Sequence, residues 1–63
     1  MSIYKNVAFK KIEGTVFVVV CDAVGVIDAV FKTKTAADKF SQLGKGLSVR
    51  VGHFLPDGRI ETI

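Results

Sequence analysis

The sequence predicts a small α+β domain: a curved antiparallel sheet with elements in the order β-β-β-α-β-β and one short helix packed on one face. Three observations carry this reading. Residues 15–31, TVFVVVCDAVGVIDAVF, are rich in Val and Ile, and Gly25 splits them into two strand-length runs. Turn-forming residues recur at Glu13-Gly14, Gly44-Lys45-Gly46 and Pro56-Asp57-Gly58. Apolar residues at helical spacing occur only over 36–43. Five short strands also suit closure into a small SH3-like or OB-like barrel.

The first strand is expected over 2–12, with Ile3, Val7 and Phe9 at odd positions. Glu13-Gly14 then reads as a tight hairpin turn, since Gly takes positive φ without steric cost. The second strand, 15–21, is apolar on both of its alternating faces: Phe17, Val19 and Cys21 on one, Val16, Val18 and Val20 on the other. Such a strand belongs in the middle of a sheet covered on both sides. A turn over 22–25 leads to a third strand, 26–32. There Ile27, Ala29 and Phe31 are expected to point inward, and Asp28, Val30 and Lys32 outward.

The helix is expected over 36–43, capped by Thr35, with Asp38 in its first turn and Gly44 just past its end. Ala36, Phe40 and Leu43 would form its apolar face. At about two turns it cannot stand alone in water and must lie on the sheet. A fourth strand over 47–55 puts Leu47, Val49, Val51 and Leu55 on one face and Ser48, Arg50 and Gly52 on the other. The fifth, 59–63, is expected at an edge.

Composition narrows the function. The chain has 63 residues, one domain over 1–63, and buries only roughly 60% of its unfolded surface. Cys21 is the one cysteine, which excludes an internal disulfide and fits a reducing cytoplasm. The N-terminus lacks the apolar core of a signal peptide. The apolar run falls short of the ~20 residues of a membrane span and carries Asp22 and Asp28. No membrane association is expected.

Catalysis needs a constellation of groups, and none is visible. His53 is the only histidine, and no cysteine pair or carboxylate cluster has metal-ligand spacing. A Cys21–His53 pair would place a thiolate in the most apolar segment of the chain, where it is disfavoured. Gly44-Lys45-Gly46 lacks phosphate-loop spacing and follows a helix instead of opening one. No enzyme activity, cofactor, metal or small-molecule substrate is expected.

What remains are surfaces. Val16, Val18, Val20 and Val30 would share one apolar face, which marks an interface if left open. A homodimer through that face is the first expectation, and burial under the protein's own curled sheet is the alternative. Nine Lys and Arg against six Asp and Glu give a net charge of +3. Lys10, Lys11, Lys32 and Lys34 are the candidates for partner electrostatics. The expected function is that of a small non-enzymatic protein-interaction module or inhibitor, a size class also encoded by phages and mobile elements. The alternative is a basic module for single-stranded or duplex nucleic acid, using the same lysines with Tyr4, Arg50 and Phe54.

Overall fold

The valine-rich run forms the strand around which the fold is built. The computed structural model describes residues 2–5 and 9–63. Its elements are β1 (Ser2–Tyr4), β2 (Thr15–Cys21), β3 (Val26–Phe31), α1 (Lys34–Ser41), β4 (Leu47–Phe54) and β5 (Ile60–Thr62). The α+β class and the order of the elements along the chain are as the sequence predicts. The strands form one antiparallel sheet, β1-β5-β4-β2-β3, curled into a half-barrel.

β2 pairs with β3 through Phe17↔Phe31 and Val18↔Val30, and with β4 through Phe17↔Val51 and Val18↔Arg50. Both of its edges are therefore taken, and this overturns the expected hairpin at Glu13-Gly14. The first strand is only three residues long and pairs with β5, Ser2 facing Thr62 and Tyr4 facing Ile60. Val7 of the expected longer strand lies outside the described residues. Phe9 and Ile12 are not in a strand and instead pack against the apolar core. β5 is consequently interior to the sheet, and β1 and β3 are its edges.

On the face of the sheet turned toward α1, Val19 and Ala29 cluster with Ala37 of the helix, with Phe17, Phe31, Phe40, Leu47 and Val49 around them. Phe31 and Phe40 meet with ring centroids 5.7 Å apart at a tilt of 52°, a favourable arrangement for two aromatic quadrupoles. The helix begins two residues earlier than its spacing suggests. Thr33, not Thr35, is the N-cap, accepting from the Ala36 N–H at 3.4 Å, and Asp38 holds Lys34 at 2.9 Å. This start turns Ala37 and Phe40 to the sheet and leaves Leu43 81% exposed beyond the helix. The C-cap is Gln42, and Gly44 does not take positive φ.

The opposite face holds the main core. Val16, Val18 and Val20 are 0%, 0% and 1% exposed and cluster with Phe54 and Ile60. Tyr4, Phe9, Ile12, Ile27 and Val30 pack against them. The expectation that Val16, Val18, Val20 and Val30 share a face holds, but the face is not open. The curl of the sheet and the segment carrying Phe9 and Ile12 enclose it, so these side chains offer no surface to a second copy. Fully burying a Val is worth about 1.5–3 kcal/mol, and a dimer made through them would first forfeit that burial.

Two local devices make the enclosure work. Between Val19 and Val20 the β2–β3 register slips: Val19 faces Ala29 and Val20 faces Ile27, with Asp28 as the extra residue. This bulge sends Ile27 to the main core with Val30, although alternation alone groups it with Ala29 and Phe31. The second device is Gly52, which faces Val16 on one side and Thr62 on the other. A Cβ there would stand 2.4 Å from the Glu61 carbonyl oxygen, so only glycine lets β5 approach this closely. Thr62, 2% exposed beside it, donates its hydroxyl to the Ser2 carbonyl at 3.3 Å.

Candidate functional site

The register gives the sheet two chemically different ends. Tyr4, Ile60, Phe54, Thr15 and Phe31 lie at one end, and Ser2, Thr62, Leu47, Cys21 and Val26 toward the other. Lys5 directly follows β1 at the first end. Lys32 directly follows β3 at the same end. Lys10 and Lys11 lie on the connection between the end of β1 and the start of β2, which belongs to that end too. Phe9 and Ile12 are fixed against the core on either side of them, so the core holds this stretch of chain in place. All four lysines are exposed, and none has an ion-pair partner among the described residues.

The other cations are mostly committed. Arg59 donates from Nε to the Asp57 carboxylate at 2.6 Å. The Arg59 backbone N–H reaches the same carboxylate at 3.0 Å and holds it below the usual aspartate range, with help from the Arg59 side chain. Arg50 lies 3.7 Å from Asp22, whose carboxylate also accepts from the Ser48 hydroxyl. Lys34 is drawn to Asp38. Glu13 and Asp28 are the acids without an ion-pair partner among the described residues, and only Glu13 lies near the lysines.

The sequence-predicted site residues therefore separate. Lys10, Lys11 and Lys32 come together at one end, with Lys5 as a fourth member that sequence reasoning missed. Its signal was invisible without the β1–β5 pairing that brings the end of β1 beside the start of β5. Lys34 stands near them with its charge shared. Arg50 is drawn toward Asp22 at the far end. Tyr4 is partly buried against the core and Phe54 is 8% exposed, so neither offers the open ring that the nucleic-acid alternative asks of them. The reason is the curl: Phe54 sits opposite Ile60, on the concave side.

Cys21 and His53 stand at opposite ends of β2, since Thr15 faces His53 and Cys21 faces Leu47. Six residues of strand separate them by about 20 Å. His53 Nε2 instead lies 3.3 Å from Glu61 on the neighbouring strand. No pocket and no group of three metal-ligating side chains occurs among the described residues. No helix there is long and apolar enough to cross a membrane. The chain matches no family model, no curated protein and no solved structure.

Proposed function

We propose that this protein is a small non-enzymatic binding module that engages an acidic macromolecule through the lysine-bearing end of its sheet. The observation that carries the reading is the gathering of Lys5, Lys10, Lys11 and Lys32 at one end without ion-pair partners among the described residues, while both arginines at 50 and 59 lie against aspartates; Lys39 on α1 and Lys45 before β4 are likewise unpaired there. Lys5 and Lys32 follow the two edge strands of the sheet, and Lys10 and Lys11 lie on the connection from β1 to β2. Lys10 and Lys11, adjacent in the chain, lie within the ~10 Å Debye length of 0.1 M salt, so their potentials add. Unpaired cations concentrated in this way raise the local concentration and association rate of a polyanion.

The test is retention on immobilised heparin, used as a generic polyanion, with two charge-matched double variants. Lys10→Gln with Lys32→Gln should elute at clearly lower salt than the parent. Lys39→Gln with Lys45→Gln should elute close to it. Equal loss in both variants would show a diffuse net-charge effect and remove the site.

A further inference from the structure

Resting on that reading, we propose that Phe9 and Ile12 are positioning residues of the lysine site. Seated in the main core, they hold Lys10 and Lys11 at the surface, so that binding at this end and closure of the valine face are coupled.

Residues 9–14 form neither helix nor strand. A pair of lysines on a loose stretch of chain must be ordered when it binds, and that ordering weakens the complex. Here two apolar residues bracket the two charged ones. Phe9 and Ile12 pack against the cluster of Val16, Val18, Val20, Phe54 and Ile60, while Lys10 and Lys11 between them are exposed. The end of this strap is tied as well. Gly14, at φ 86°, turns the chain into β2, which is paired along both edges. Lys10 and Lys11 therefore meet a partner from a stretch already ordered by the core, which lowers the cost of binding.

The same contacts act in the other direction. Phe9 and Ile12 are part of what encloses the valine face. A polyanion held at Lys10 and Lys11 thus also holds that cover in place. Coupling of this kind is reciprocal: the factor by which seating raises affinity is the factor by which the bound polyanion favours seating. It holds for any polyanion that engages the two lysines.

The experiment is fluorescence anisotropy with labelled heparin, on variants shown by circular dichroism to be folded at the temperature used. Ile12→Ala leaves the net charge unchanged and should raise Kd about fivefold through lost ordering of the strap. Ile12→Leu, which conserves volume, should bind as the parent does. Val49→Ala, an apolar truncation in the cluster beneath α1, should also bind as the parent does. In the background of Lys10→Gln with Lys11→Gln, Ile12→Ala should cost no further affinity, because the strap then has no charge to position. Should Ile12→Ala not fold, Ile12→Val takes its place in the same comparisons, with an expected rise of about twofold. Equal weakening by Val49→Ala, or further loss in the background without Lys10 and Lys11, traces the effect to general loosening and overturns the inference. A folded position-12 variant that binds as tightly as the parent overturns it while the lysine site stands. A parent that does not bind heparin overturns both.

Discussion

A single absent side chain governs how closely this sheet closes. Gly52 sits in the middle of β4, where a glycine is ordinarily a weakness because it loses more backbone entropy than any other residue. It is retained by geometry, since the Glu61 carbonyl lies where any Cβ would stand. Gly52→Ala should therefore destabilise the fold by about 1–3 kcal/mol, the usual range for overpacking. At this chain length, each kcal/mol lowers the thermal midpoint by roughly 4–8 °C. A melt followed by circular dichroism checks it, and a midpoint unchanged from the parent would show that β5 can move aside. Nothing in the pattern of apolar residues announces this glycine. Gly52 falls on the expected face of its strand, but its close neighbour comes from β5, whose place in the sheet was not legible.

Elements were legible where their own residues decide them. β2 is a strand because seven successive residues are β-branched, aromatic or small and apolar, and both faces are indeed covered. The start of the helix was not legible to within two residues, because Thr33 and Thr35 are equally good caps by type. The choice falls to Thr33 because only that start turns Ala37 toward the sheet, where it is 0% exposed. Thr33→Ala should cost about 0.5–1 kcal/mol, the lower part of the capping range given its 3.4 Å hydrogen bond, while Thr35→Ala should cost less. Urea titrations of the two variants decide between the caps, and the reverse order would return the cap to Thr35. The edge strand β3 was placed correctly along the chain, but its bulge was not foreseen. Alternation has a period of two and contains no signal for an inserted residue. An exposed Asp28 on a bulge also disfavours pairing of this edge with another chain.

For the whole molecule, the sequence pattern showed two apolar faces and left open what covers the second. That question is one of topology. Val16, Val18 and Val20 look the same in the sequence whether a second copy or the curl of their own sheet encloses them. With the curl enclosing them, light scattering should give the mass of one chain, independent of salt. A salt-resistant dimer would place self-association on a surface other than the valine face. The lysine cluster was legible in three of its members because Lys10, Lys11 and Lys32 fall at the ends of predicted strands. Its gathering at one end, and the withdrawal of Tyr4, Phe54 and Arg50 from it, depend on strand order, which pairwise alternation does not encode.

The pairing of β1 with β5 also sets the order of events in time. β2 and β3 are joined by four residues, whereas Ser2 and Thr62 meet across sixty positions of chain. Closing the longer loop costs about 2.4 kcal/mol more in chain entropy than closing the shorter. The β2–β3 hairpin is therefore the natural nucleus, and the three-residue β1 joins last and frays first. Lys5 follows that strand directly, so each fraying event loosens one corner of the charged end while the other three lysines stay on the folded body.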